Sequence, residues 1–182
     1  TTYRQLKVLR KKKYDIFVNL CEGYLDWSVP SIDVIHTLDL LDLPYTGPNA
    51  SLYDPPKELM KYVAFTCGIA TPPYVAIQNT LDVKKEIQFL HFPLFVKPAK
   101  AGDSLGIDPE SFAENMDQLE KKANALLDEY DEILIEEYIE GREFTVLVAA
   151  NAGIKNDCIA YNPVEFLFPE EIYFKTYQAK TS

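Results

Sequence analysis

Prolines divide this chain into short elements, and that punctuation constrains the fold more than any other feature of the sequence. A proline lacks the N–H a helix interior needs, so each one ends, starts or excludes a helix. Pro44 ends an apolar helical pattern that opens at Pro30 and Ser31 and places Val34, Leu38 and Leu41 at i, i+4 and i+7, with Asp39 and Asp42 outward. Pro55-Pro56 can open the next helix, because a missing N–H costs nothing in a first turn. That helix runs to about Cys67, where Gly68 supplies the stop. The Pro72-Pro73 pair makes TPPYVAI (71–77) an extended linker that becomes a strand, and PLFVKP (93–98) is a strand bounded by proline at each end.

Between these boundaries strands and helices alternate without an internal repeat. DIFVNL (15–20) is a buried-strand candidate and PYTGPN a short strand into a turn. Residues 82–90 and 114–128 read as helices, and EILIEEYI (132–139) as a strand that leads to a bend at Gly141. EFTVLVAAN (143–151) and DCIAYNPVEFLF (157–168) form an antiparallel pair. The order is βαβ at the front and mixed α+β behind, which predicts two lobes meeting near residues 68–75. Neither lobe reads as complete.

Composition removes several function classes. Residues 1–13 hold six cations and no acid; against a net charge of −10 the rest of the chain carries −16. An acidic body disfavours nucleic-acid binding, which needs phosphates neutralised. The basic segment reads as an amphipathic helix, with Tyr3, Leu6 and Leu9 at helical spacing and a solvated lysine face; a nucleic-acid or membrane patch is the alternative. No apolar run approaches the roughly 20 residues of a membrane span, and no small-residue cleavage site follows Leu20. Three widely spaced cysteines without a CxxC fit reduced thiols in a cytoplasmic protein; Cys21 and Cys67 sit in apolar contexts that predict burial. His36 and His91 read as ordinary packing or surface histidines, since neither has a cysteine at ligand spacing.

Two stretches can carry chemistry. Gly102 and Gly106 flank Asp103-Ser104-Leu105 just after the strand that holds Lys97. Such a loop lets backbone amides approach a phosphate while the lysine adds a charge; an ordinary strand-to-loop turn is the alternative. It lacks the GK[ST] ending of a Walker loop. In the second stretch, Glu136, Glu137, Glu140 and Glu143 crowd a strand and a bend. Alternation puts Leu134, Glu136 and Tyr138 on one strand face and Ile133, Ile135 and Glu137 on the other. A carboxylate beside an aromatic there can accept from an adenine amino group; a solvated acidic edge that resists aggregation is the alternative.

In order along the chain these segments are LPYTG, a helix with paired lysines, GIxTPPY, PLFVKPA, the S-L-G loop and ILIEEYIEGREFTV. That series resembles the D-alanine–D-alanine ligase family of the ATP-grasp superfamily, from about Asp15 to Lys180. The resemblance implies an α/β, mixed α+β chain: a partial ATP-grasp fold over 69–182, preceded over 1–68 by part of a Rossmann-like substrate-side domain. It implies ATP as cosubstrate, with phosphates contacted by Lys97, by Lys57 (Lys61 the fallback) and by Lys180 (Lys175 the competitor). Backbone amides of Ser104, Leu105 and Gly106 would close over those phosphates, and Lys97, Lys180 and Ser104 would serve the transfer. Glu136 would take the adenine amino group, Glu137 and Ile139 would offer backbone groups, Tyr138 would fill the aromatic position and Glu143 would hold the ribose hydroxyls.

The activity implied is ATP-dependent carboxylate–amine ligation through an acyl phosphate, on small amino acid or peptide substrates, with no nucleic acid or membrane partner and a homodimer as candidate assembly. Convergent lysines and amides suit the charge such a transfer develops. Asp103 stands where the family commonly has serine and Thr181 where it has tyrosine. LCEGYLDWSVPSI, with Glu22, replaces the Glu-Asp-Gly start of the substrate helix, which points to a different substrate. A non-catalytic nucleotide-binding protein of the same fold is the second reading. No metal ligand is assigned; those for Mg²⁺ are expected beyond Ser182, so that this chain binds ATP without turning it over.

Overall fold

A computed structural model describes residues 2–168 apart from 22–30, 54, 81–82, 103, 152–153 and 155–156. The expectations for Glu22, Asp103, Lys175, Lys180 and Thr181 therefore lie outside the described residues.

The basic segment forms a broken helix. α1 (Thr2–Leu6) is followed by a 3₁₀ turn, Leu9–Lys12, and Lys13 ends it in the left-handed region at φ 54°. Lysines and arginines three and four residues apart repel along one face, which shortens the predicted helix. α1 packs on α2 (Ile32–Leu40), where the Thr2 hydroxyl donates to Asp33. Leu38 and Leu41 are buried and Asp39 and Asp42 exposed, as the periodicity put them, but Ile35 rather than the half-buried Val34 completes the apolar stripe.

The predicted strand at 15–20 forms only a single parallel bridge, Phe17 to Tyr45, closed by Phe17 N–H to Pro44 O at 2.8 Å and Thr46 N–H to Phe17 O at 3.0 Å. Ile16, Val18 and Leu20 stay exposed. Among the described residues these two short segments have no third strand beside them, and such a pair does not sustain a ladder.

α3 (Lys57–Thr66) starts directly after Pro56, as the proline pair predicts. It ends with Gly68 at φ 71° while Gly68 N–H reaches Phe65 O (3.0 Å) and Ile69 N–H reaches Ala64 O (2.9 Å). This paired closure favours glycine at the left-handed position. Cys67, at the exposed end of α3, is itself exposed, as are Cys21 and Cys158, contrary to the burial expected for the first two. α3 buries no residue fully, so an apolar sequence context there brings no enclosure.

The next stretch builds one four-stranded antiparallel sheet. β1 (Tyr74–Ile77), α4 (Val83–Glu86), β2 (Leu94–Pro98), β3 (Phe112–Ala113), α5 (Met116–Leu127) and β4 (Ile133–Glu137) follow in chain order. The strand order is β1-β4-β2-β3, so the last strand inserts between β1 and β2. α4 is one turn where a longer helix is predicted, and β3, two residues long, has no sequence signal. α5 is capped by Asn115, whose side chain accepts from Gln118 N–H at 3.1 Å, while the Gln118 side chain accepts from Glu114 N–H at 2.7 Å.

Register decides the faces. Ile133, Ile135, Leu94, Val96 and Ala113 pack with Leu119, Ala123 and Leu126 of α5 in one core. Each fully buried Leu or Ile there contributes about 1.5–3 kcal/mol. Lys122 threads this packing, its stem buried and its ammonium 2.8 Å from Asp108 Oδ2. The opposite face carries Phe95 and Lys97 of β2, Leu134 and Glu136 of β4, and Tyr74 and Ala76 of β1.

Beyond the bend, β5 (Glu143–Thr145) pairs with β8 (Val164–Phe166), and β6 (Val148–Ala150) with β7 (Cys158–Ala160). The predicted antiparallel pair thus forms, broken in the middle, with Tyr161 N–H bonded to Leu147 O at 2.9 Å.

Candidate functional site

The sheet face turned away from α5 gathers charge. Glu136 sits on β4 opposite Phe95 of β2 and Tyr74 of β1. Lys97 lies two residues along β2 from Phe95, on the same face, and its ammonium donates to Glu136 Oε1. From α3, Lys61 Nζ approaches Glu136 Oε2 at 2.7 Å, bonds Pro72 O at 3.1 Å and stands 4.8 Å from the centroid of the Tyr74 ring. One carboxylate thus serves two ammonium groups, and the cluster carries a net charge of +1.

Lys57 and Lys61 are one helical turn apart, so both face the sheet. Their partners differ. The Lys57 ammonium donates to Ala101 O and its backbone N–H to Ala99 O at 3.2 Å, which ties the start of α3 to the point where β2 passes into the glycine loop. Of the two lysines the sequence left in competition, Lys61 reaches the Glu136 cluster and Lys57 the mouth of the loop.

The loop is anchored rather than open at its far end. Gly106 has φ 73°, and a Cβ there would lie 2.7 Å from Pro98 Cγ and 3.1 Å from Leu126 Cδ2. Ser104 adopts φ 60°, Leu105 N–H bonds Gly102 O and Ile107 N–H bonds Ser104 O, both at 3.0 Å. Ser104, Leu105 and Gly106 are therefore held in a tight turn directly after the lysine strand.

At the other end of the face β4 runs into the bend. Glu137 N–H bonds Pro73 O at 3.0 Å and Tyr138 N–H bonds Pro93 O at 2.9 Å. Tyr138 stacks edge-on against Phe112 (centroids 4.9 Å) and lies 6.3 Å from Phe95, so three rings border the charged cluster. Burial, with Glu140 and Glu143 nearby, pushes the Tyr138 hydroxyl's pKa up. Ile139 is exposed; Glu143, half-buried, begins β5.

His91, which the sequence left as an ordinary residue, is a partner of the bend. Its ring Nδ1 is 2.8 Å from Glu137 Oε1 and its backbone N–H donates to the same oxygen at 2.9 Å. These bonds hold the Glu137 carboxyl below the usual carboxylate range, the ring contact contributing most. No local signal announces a pair 46 positions apart. Tyr74, Phe95 and Phe112 were also missed as lining residues; the first two were legible from alternation once β1 and β2 are set beside β4. Among the described residues no group of three or more His, Cys, Asp or Glu side chains converges to hold a metal, and no helix is long and apolar enough to cross a membrane.

The fold that carries this arrangement recurs in solved structures. The chain superposes on D-alanine–D-alanine ligase from Bacillus anthracis complexed with ATP with a TM-score of 0.61 at 23% identity, covering 97% of this chain and 60% of that one. It superposes on D-alanyl-alanine synthetase A from Vibrio cholerae with a TM-score of 0.64 at 23% identity, covering 88% and 48%. The fold is therefore ATP-grasp, present in part.

The sequence narrows the class. The family model described as D-ala D-ala ligase C-terminus matches residues 63–181. D-alanine–D-alanine ligase from Aquifex aeolicus is 33% identical over 143 residues, covering 77% of this chain and 46% of the relative. That from Delftia acidovorans is 36% identical over 146 residues, covering 78% and 42%. The chain belongs to the D-alanine–D-alanine ligase family, and it spans about half the length of these relatives.

Proposed function

We propose that this chain is the nucleotide-binding part of an ATP-dependent carboxylate–amine ligase. Such an enzyme converts an amino acid carboxylate to an acyl phosphate, and an amine then displaces phosphate to form an amide. The observation that carries the reading is the part-buried Lys97–Glu136–Lys61 cluster, with its net positive charge, set between the glycine turn and the aromatic bend. A partly buried excess of cations is costly without an anion to complete it. A nucleotide triphosphate supplies that anion at one end, and its base and sugar suit the rings and carboxylates at the other.

Within this reading Lys97, together with Lys57 and Lys180, offsets phosphate charge, and the amides of Ser104, Leu105 and Gly106 orient the transferred group. Glu136 and the backbone of Glu137 and Ile139 read adenine beside Tyr138; Glu143 holds the ribose. Residues 1–68 contribute to the substrate side and 69–182 to the nucleotide side. Mg²⁺, which takes oxygen ligands, would screen the phosphates during transfer; it is assigned to none of the described residues. The relatives' names are those of ligases, which supports a ligase over a non-catalytic nucleotide-binding protein.

Calorimetry tests the assignment. ATP is expected to bind more tightly than GTP, and Glu143→Ala to weaken ATP by about 1.5–3 kcal/mol through loss of a charge-assisted contact. Equal affinities for the two nucleotides would remove Glu136 as adenine reader, and an unaffected Glu143→Ala variant would remove the ribose contact.

A further inference from the structure

We infer that Lys61 is a positioning residue that holds Glu136, so that Lys97 can exchange its carboxylate partner for a phosphate; this rests on the nucleotide reading above. The geometry sets the problem. Lys97 donates to Glu136 Oε1, the same carboxylate the base is expected to meet. While that bond stands, both partners are engaged with each other. Leaving it would strand a carboxylate whose side chain is only 10% exposed, and an uncompensated buried charge is strongly unfavourable.

Lys61 removes that penalty. Its ammonium, also 10% exposed, sits on the other oxygen, Oε2, at 2.7 Å. It is fixed from two further sides by Pro72 O at 3.1 Å and the Tyr74 ring at 4.8 Å. When Lys97 turns to a phosphate, Glu136 keeps a full counter-ion, and Oε1 is freed to accept from an adenine amino group. A carboxylate has enough lone pairs to serve both. The exchange leaves every charge paired: Lys97 with phosphate, Lys61 with Glu136. Lys61 thereby acts through Glu136 on two ends of the nucleotide without touching it.

A double-mutant cycle separates this role from direct phosphate contact. ATP binding to the 182-residue chain is measured by calorimetry for wild type, Lys61→Met, Lys61→Arg, Glu136→Gln and the Lys61→Met/Glu136→Gln pair, each checked for a cooperative thermal transition. Lys61→Gln, which keeps a donor for Pro72 O, carries the same test should methionine disturb the fold. Lys61→Met is expected to weaken ATP about tenfold or more, Lys61→Arg to restore binding to within about threefold, and the loss to shrink below about threefold in the Glu136→Gln background, as for groups coupled through one partner. An equal loss with and without Glu136 would make Lys61 a direct phosphate contact and overturn the inference, as would a Lys61→Met variant that binds like wild type. Those results leave the nucleotide reading standing; absence of ATP binding by the wild-type chain overturns both.

Discussion

β4 and the ribbon that follows it are built from the same kinds of residue, yet they meet opposite fates. ILIEE (133–137) places Ile133, Leu134 and Ile135 fully out of solvent. In the ribbon, Leu147 is 68% and Val148 56% exposed, although their ladder with 158–166 is formed. Both are strand formers, but β4 is paired on each side, by β1 and β2, while each ribbon strand has one partner, and a layer lies on top of the sheet alone. α5 covers the four-stranded sheet, whereas among the described residues no helix packs on the ribbon. Apolar alternation makes a strand, and a second layer makes it a core. The sheet face turned away from α5 is the one that carries charge, with Lys61 of α3 reaching Glu136 there.

The sharpest way to break this comparison is to truncate one side chain on each side of it. Leu94→Ala, in the buried core, should cost about 2–5 kcal/mol in denaturant unfolding through lost burial and a cavity. Val164→Ala, exposed in β8, should cost no more than about 0.5 kcal/mol. Equal costs would mean that the ribbon is as fully covered as the sheet.

A second pair of variants asks whether the glycine turn belongs to the packed region. Gly106→Ala combines a positive φ with a Cβ driven against Pro98, so a loss of about 1–3 kcal/mol is expected. Gly68→Ala has a similar φ (71°) but open space around it, and only the conformational strain remains, about 1 kcal/mol. If both cost the same, the turn is not seated on Pro98 and Leu126.

The smallest expected effect lies in the ribbon itself. Arg142 Nε and Nη2 each donate to Glu165 at 2.6 Å across the start of β5 and β8, which lowers the Glu165 pKa below its ordinary value and raises that of Arg142. A carboxyl with a depressed folded pKa contributes stability above its ordinary titration range and loses it as pH falls through the folded value. Wild type should therefore lose slightly more thermal stability than Glu165→Gln as pH drops from neutral to below the usual carboxylate range, and molar salt should shrink the difference. A difference that grows in acid would reverse the sign of this pair's contribution.

The parts of the molecule that the sequence revealed are those whose signals are local. Gly68 closes α3, alternation assigns both faces of β4, and the helix expected at 114–128 forms as α5, because each depends on neighbours within two turns. Properties set across the chain were not legible. DIFVNL is as strand-like as YVAI, but only the second finds β4 beside it. Lys57 and Lys61 share a helix face, and only the sheet's register decides which one meets Glu136. His91 acquires a role from Glu137, with which it shares no motif. The family motifs marked these segments along the chain; the register of β1, β4 and β2 explains why their residues converge.

Hydrogen exchange with and without a non-hydrolysable ATP analogue tests the central claim, that the face of the four-stranded sheet turned away from α5 and its two ends form the nucleotide site. Protection is expected in the glycine loop (100–107), whose amides would meet the phosphates, and across the bend at 136–143. The core strands, already protected by α5, should change little. Slowing confined to the front segment 31–47, with the loop and bend unchanged, would contradict the account and place the ligand elsewhere.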